Sequence, residues 1–195
     1  HPQLGSDDVW ALARQGEVVW AGTYEGGLTR IDASGVMQRY TKAGDGLPSD
    51  TVLSLAVDDA GVLWVGTDKG LARQHGNGFE IVGLPGADGV PMIYSLSSQS
   101  DGLWAGTSLG IWQRGQGRWS RPDWSSMFHR PNAVMSIATD LSGDHWLGSQ
   151  RGLWRQQGAA APEPVRTGGL VIPRAISSLL IEPDGALWVP VAGRG

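Results

Sequence analysis

A short motif built around tryptophan recurs along this chain at nearly constant spacing. In four places a Trp is followed by an apolar residue, a glycine and a threonine or serine, and a fifth, degraded copy carries proline in place of the glycine. The copies occupy residues 20–23, 64–67, 104–107, 146–149 and 188–191, so that their tryptophans lie 44, 40, 42 and 42 residues apart. Self-similarity at such a period is typical of solenoids and propellers. The repeat therefore limits the choice of fold more strongly than any other feature.

Each repeat is predicted to form four short β-strands. In the second repeat the β-favouring runs are 52–57, 63–66, 71–74 and 79–82, and the segments between them are rich in Asp, Asn and Gly. Such segments between β-favouring runs are hairpin signals, and no helical spacing of apolar residues persists for ten residues. A four-stranded antiparallel unit of about 40–45 residues is typical of a propeller blade. The sequence predicts an all-β fold, a β-propeller of four-stranded antiparallel blades.

The chain is too short to close a common propeller ring. Seven blades at about 42 residues each would need roughly 290 residues, whereas this chain has 195. We expect residues 1–195 to form a partial β-propeller, an incomplete ring of about four and a half blades that belongs to a seven-bladed or larger propeller. Open blade edges expose unpaired backbone groups, so the expected partners there are the rest of the same chain or another copy.

The recurrent tryptophans are predicted to be structural. A residue that returns once per blade meets the same neighbouring surface each time, and a large aromatic side chain is well suited to fill the space between blades. We therefore expect the residues Trp20, Trp64, Trp104 and Trp146 to be buried wedges rather than ligand-binding groups.

Composition narrows the possible partners. The 15 basic and 19 acidic residues give a net charge of −4 and are mixed along the chain, which disfavours nucleic acid as a partner. No apolar run approaches the roughly 18 residues of a membrane span, so no direct membrane contact is expected. The chain has no cysteine and only four histidines, and it contains no metal-binding or nucleophile motif. We expect neither a metal nor a cofactor.

The second repeat resembles a known family. Residues 46–71 read GLPSDTVLSLAVDDAGVLWVGTDKGL and are similar to the regulator propeller repeat of bacterial two-component systems, whose pattern is G-L-P-S/N-x-V-x-S-I-x-x-D-x-D-G-x-L-W-V-G-T-x-x-G-L. This resemblance implies a periplasmic sensory input domain, tethered to the inner membrane through segments outside this chain. The output domain would be a hybrid histidine kinase, a diguanylate cyclase or a DNA-binding domain.

Few residues are candidates for chemistry. The acidic residues Asp59, Asp101, Asp144 and Asp184 recur near the first turn of successive blades, which favours hairpin capping over catalysis. His145 follows a carboxylate and is expected to be a turn residue, with an acid/base role as the alternative.

One segment departs from the repeat. The loop before the fourth blade contains Trp124, Phe128, His129 and Arg130 in place of the Gly-Leu-Pro of other blades. Aromatic residues beside Arg in an exposed loop are typical of carbohydrate or protein recognition. We predict that these four residues bind the ligand, for which a carbohydrate is one candidate; the alternative is a loop that only covers a blade edge.

Three functions are consistent with the sequence. The resemblance favours a non-catalytic sensory input domain that binds a ligand or partner and passes the signal to an output domain. The alternatives are a propeller polysaccharide lyase or glycosidase, which needs paired acid/base residues in one cleft, and a non-catalytic protein-interaction scaffold.

Overall fold

The chain forms consecutive antiparallel sheets that follow the sequence repeat. The computed structural model describes residues 4–128, 131–168, 170–171 and 174–190. Within these residues there are four four-stranded sheets, and their strands occur in chain order within each sheet. This arrangement confirms the predicted propeller blades and their incomplete ring.

The strands begin and end close to the predicted positions. In blade 1 the strands are β1 (Val9–Gln15), β2 (Val18–Thr23), β3 (Gly27–Ile31) and β4 (Met37–Tyr40), and the short helix α1 (Lys42–Asp45) follows. In blade 2 they are β5 (Val52–Val57), β6 (Leu63–Thr67), β7 (Gly70–His75) and β8 (Gly78–Val82). In blade 3 they are β9 (Ile93–Gln99), β10 (Gly102–Thr107), β11 (Gly110–Gly115) and β12 (Arg118–Ser120), and a 3₁₀ helix spans Asp123–Phe128. In blade 4 they are β13 (Val134–Thr139), β14 (His145–Ser149), β15 (Gly152–Gln156) and β16 (Glu163–Pro164).

The first strand of every blade is the innermost one. Strand β1 contacts β5, β5 contacts β9, and β9 contacts β13. The remaining strands of each sheet follow outward in the order of the chain. The first and second turns of a blade therefore lie on opposite faces of the propeller.

The core consists of apolar clusters between neighbouring blades. One cluster joins blades 1 and 2 and includes Trp20, and a second joins blades 2 and 3 and includes Trp64. A third joins blades 3 and 4 around Trp104. These three tryptophans are buried, as predicted, at 1%, 1% and 3% exposure. Trp146 is less completely buried than these three, because only the first two strands of a following blade lie among the described residues.

The glycine of the motif lets the next blade approach closely. A Cβ added at Gly66 would lie 2.7 Å from Cγ2 of Ile93, the first residue of the next inner strand. Equivalent contacts join Gly22 to Val52, Gly106 to Val134 and Gly148 to Ile176. A side chain at the glycine would push the blades apart, which explains why the motif requires glycine.

The hydroxyl of the motif closes the second turn of each blade. Thr67 Oγ1 donates a hydrogen bond to the carbonyl of Gly70 at 2.8 Å. The same contact recurs at 3.0 Å from Thr23, Thr107 and Ser149. All four side chains are fully buried, and a buried hydroxyl needs such a partner.

Both ends of the described fold are open. After blade 4 come the two-stranded pairs β17 (Arg166–Thr167) with β18 (Leu170–Val171) and β19 (Leu180–Ile181) with β20 (Leu187–Trp188). The second pair begins a fifth blade, whereas the first hairpin is not anticipated by the repeat. At the other end Leu12 is 67% exposed, although its counterpart in blade 2, Leu55, is 9% exposed. Leu55 packs against the preceding blade, whereas the described residues contain no blade before Leu12.

Candidate functional site

The structure places two of the predicted ligand-binding residues, Trp124 and Phe128, at the junction of blades 3 and 4. Trp124 and Phe128 lie in the 3₁₀ helix between these blades. Phe128 is completely buried, and its ring meets the edge of Trp154 at a centroid distance of 5.3 Å. The expectation of an exposed ring is therefore wrong for Phe128, because the helix folds back onto the apolar core of blade 4. His129 and Arg130 lie outside the described residues.

A buried serine holds this helix in place. Strand β12 has only three residues, so the edge of β11 lacks a backbone partner near its first residues. Ser125 Oγ accepts a hydrogen bond from the Ile111 amide and donates one to the Ile111 carbonyl, both at 2.8 Å. The side chain of Ser125 thus replaces a backbone strand partner, and this contact fixes the position of Trp124 next to it.

Trp124 forms one wall of a cleft. The Trp124 and Trp104 rings are nearly parallel, with an interplanar angle of 14° and centroids 6.2 Å apart. The cleft between blades 3 and 4 has a volume of about 410 Å³, and its principal side chains are Asp101, Trp104, Gln113, Asp123, Trp124 and Gln156. We call this space the blade 3–4 cleft. It is large enough for a small ligand group, and Trp124 remains partly accessible there.

Asp101 connects the two blades at the base of the cleft. Its Oδ1 accepts a hydrogen bond from Trp104 Nε1 at 3.0 Å, and its Oδ2 accepts one from Gln113 Nε2 at 3.0 Å. His145 Nε2 on blade 4 lies 3.2 Å from the same Oδ2. Asp101 therefore links blade 3 to blade 4 in addition to its place in the hairpin turn. Its side chain is still 42% exposed.

His145 is a buried strand residue and not a turn residue, which corrects the expectation from sequence. It is the first residue of β14, and its ring stands 4.6 Å from that of Trp104. Its Nδ1 forms a hydrogen bond of 2.7 Å with Thr139 Oγ1. Because the carboxylate of Asp101 can only accept, Nε2 carries the hydrogen in that contact. Both ring nitrogens are thus occupied by partners within the protein.

The acids that cap the first turns are not all those predicted. Asp58 and Asp140 accept hydrogen bonds from the indoles of Trp64 and Trp146 at 2.8 and 2.9 Å, and each also accepts from backbone amides of its own turn. Asp144 instead forms an ion pair of 2.6 Å with Arg155. The acids that bind tryptophan lie six residues before it, a spacing that the sequence could have revealed.

Asp101 does not follow that spacing. It lies only three residues before Trp104, yet it binds the same indole. This irregular position is a signal that could have marked the junction as different from the others. Gln113 and Gln156 carry no comparable signal, because they occupy ordinary positions on third strands.

Two further features of the described residues bear on the possible functions. Within the described part of the chain, no group of three or more His, Cys, Asp or Glu residues is arranged to hold a metal ion. No helix among the described residues is long and apolar enough to cross a membrane.

Comparison with known proteins identifies the repeat and the fold. Residues 46–69 match the family model described as the two component regulator propeller, which confirms the resemblance at the second repeat. No curated protein sequence matches the chain.

Solved structures superpose on nearly the whole chain. The extracellular domain of BT4673 from B. thetaiotaomicron, described as a hybrid two component system, gives a TM-score of 0.83 at 24% identity over 97% of this chain and 27% of that chain. The extracellular domain of BT3049 from the same organism gives 0.77 at 19% identity, over 96% of this chain and 26% of that one. A streptogramin B lyase gives 0.72 at 16% identity over 98% and 64%. These superpositions establish a β-propeller fold. The chain spans about a quarter of the length of the first two structures.

Proposed function

We propose that this chain is part of the sensory input domain of a bacterial signalling protein. The domain would lie in the periplasm, anchored to the inner membrane by other segments, and would pass a signal to a hybrid histidine kinase or diguanylate cyclase. The observation that carries the proposal is the superposition of 97% of the chain on the extracellular domain of a hybrid two component system. The regulator propeller repeat at residues 46–69 supports it independently.

The blade 3–4 cleft is the proposed ligand site. Asp123 and Trp124, from the start of the segment that breaks the repeat, line it, and the blades on both sides hold its walls in place. Trp124 offers an aromatic face beside polar side chains, a combination typical of small-molecule recognition sites. A ligand that contacts Trp124 and Asp101 would touch blade 3 directly and blade 4 through His145, so that binding could alter the junction between the blades.

Catalysis is the less favoured function of this cleft. Asp101 and Asp123 both line it, and glycoside hydrolysis uses a pair of carboxyl groups. However, both oxygens of Asp101 are occupied by donors of the blade junction. Both ring nitrogens of His145 have partners within the protein, so His145 has no free nitrogen with which to exchange a proton with a substrate. The Asp101 carboxylate holds the blade junction together and keeps lone pairs that can accept a hydrogen bond from a ligand.

The proposal is tested by signalling output in the complete protein as the gene encodes it. We expect Trp124→Ala to reduce stimulus-dependent output at least tenfold while the melting temperature stays within a few degrees. Met127→Ala is the matched control, because Met127 lies in the same helix and is exposed outside the cleft. Unchanged output in Trp124→Ala would refute the cleft as the ligand site. A gene without a membrane span and output domain would refute the sensory role.

A further inference from the structure

The junction between blades 2 and 3 contains an internal cation. The guanidinium carbon of Arg114 lies 5.0 Å from the centre of the Trp64 ring, and Arg114 Nη1 lies 3.5 Å from Asp58 Oδ2. The two charged side chains are 21% and 9% exposed. At this junction the protein therefore places its own guanidinium between an indole and a carboxylate.

At the junction between blades 3 and 4, Trp104 and Asp101 supply an indole and a carboxylate, but the position that corresponds to Arg114 is not an arginine. Arg114 lies ten residues after Trp104, and the residue ten positions after Trp146 is Gln156. The amide nitrogen of Gln156 donates to the carbonyls of Gly158 and Ala160 in its own blade. Its side chain therefore turns away from Asp101, and the cleft is about 410 Å³ instead of about 200 Å³ at the preceding junction.

Gln156 also leaves an acceptor without a partner. The residue is 3% exposed, and its Oε1 has no hydrogen-bond partner among the described residues. Exchanging the amide oxygen and nitrogen would not give Oε1 a donor, because the oxygen would then face the two carbonyls to which Nε2 donates. A buried acceptor without a donor is costly, and a ligand N–H group that reached it would remove the cost.

The cleft walls favour positive charge. Asp101 and Asp123 contribute carboxylates, Trp124 and Trp104 contribute indoles, and none of the described residues that line the cleft is Lys or Arg. The His145 ring lies 4.6 Å from the Trp104 ring, and its Nε2 lies 3.2 Å from Asp101 Oδ2. Carboxylates accept hydrogen bonds only, and an indole face attracts cations.

We propose that the blade 3–4 cleft binds an organic cation, a guanidinium or ammonium group carried by the ligand. The cation would stand against Trp124 and between the carboxylates of Asp101 and Asp123, in an environment like that which Arg114 has at the preceding junction. This inference rests on the proposed function, since it names the chemical class of the ligand at the same site. It favours a basic side chain or a charged amino sugar over a neutral sugar.

Binding of matched probes to the complete protein tests the inference. N-acetylarginine methylamide carries the guanidinium, and N-acetylcitrulline methylamide is its neutral isostere. We expect calorimetry to give at least a tenfold lower Kd for the arginine probe, weakened by added salt because the charges are partly exposed. The Kd of methyl glucosaminide is compared with that of its neutral N-acetyl form. Tighter binding of the charged sugar would identify an ammonium on a sugar, rather than a guanidinium on a peptide, as the preferred cation.

Two variants locate the binding. Asp123→Asn removes one exposed carboxylate of the cleft and should reduce the preference for the arginine probe to less than threefold. Asp59→Asn is the matched control, because Asp59 is an exposed acid that lines the preceding cleft, and it should leave the preference unchanged.

The inference would be overturned by equal binding of the arginine and citrulline probes, by a preference that survives Asp123→Asn, or by no binding of either cationic probe. Tighter binding of the neutral N-acetyl sugar would also overturn it, but would leave the proposed ligand site intact. Failure of the proposed function is recognised separately, by signalling output that does not respond to Trp124→Ala.

Discussion

The indole of Trp64 on blade 2 meets the edge of Trp119 on the fourth strand of blade 3, with ring centroids 5.5 Å apart at an angle of 81°. Trp20 meets Phe79 of blade 2 in the same way, at 6.1 Å and 83°. At these two junctions the tryptophan of one blade is thus covered by an aromatic residue on the outermost strand of the next. Trp146 has no such cover among the described residues, which contain only the first two strands of the fifth blade.

Replacing covered and uncovered tryptophans should therefore have different costs. We expect Trp64→Ala to lower the free energy of unfolding by about 3–5 kcal/mol, since it empties a fully buried site. Trp146→Ala should cost about half as much, because the indole is already partly solvated. Urea denaturation of both variants measures the difference, and equal losses would contradict the role assigned to the neighbouring blade.

The glycine of the motif should not tolerate a methyl group. A Cβ at Gly66 would stand 2.2 Å from Ser54 Oγ and 2.7 Å from Ile93 Cγ2. We expect Gly66→Ala to cost about 1–3 kcal/mol through overpacking. Gly83→Ala is the control, because a Cβ there would meet no atom within 4 Å. Thermal melting should leave the control within a degree or two of the parent, and a similar shift in both variants would argue against blade contact as the cause.

Stability should depend on pH through Asp140. Burial opposes its charged form, but hydrogen bonds from the Trp146 indole and from the amides of Asp144 and Ser142, together with the charge of Arg155, outweigh burial and lower the pKa of Asp140 below 3.8. A carboxyl whose pKa is lower in the folded state stabilises the fold above its unfolded pKa and loses this contribution as pH falls through the folded pKa. The advantage of the parent over Asp140→Asn in unfolding free energy should therefore be constant near neutrality and shrink below about pH 4. A difference that does not change between pH 7 and pH 2 would show that Asp140 contributes only through uncharged contacts.

The open first blade should promote self-association of the 195-residue chain. The face of blade 1 that no other described blade covers exposes Leu12, Trp10 and Val19. In blade 2 the counterpart of Leu12 is Leu55, which packs against the preceding blade. Light scattering should show oligomers that Leu12→Lys disperses, because a charge on this face opposes the burial of apolar surface. Leu141→Lys, at an exposed turn leucine of blade 4, should leave association unchanged. A monodisperse monomer of the parent chain would contradict the prediction.

Much of the fold could be predicted because the information for a blade is local. The residues Trp64, Gly66 and Thr67 interact with a turn acid, an adjoining strand and a turn carbonyl that recur at the same spacing in other blades. The candidate site was harder to predict, because it arises where the repeat is irregular. The departure of residues 123–130 from the repeat was visible, but the burial of Phe128 depended on the apolar surface of blade 4 and left no trace in the spacing.

The amino-acid sequence by itself determined the four-stranded blades, the positions of their strands and the glycine and hydroxyl of the motif, since the same short-range pattern repeats along the chain. Only the tertiary structure decided which tryptophan is covered and which acid faces a cleft, since these outcomes depend on what the neighbouring blade supplies. Asp101 and His145 are 44 residues apart in the chain, and nothing local to either residue specifies the other. Their contact forms because packing of the blades brings the first turn of one sheet against the second strand of the next.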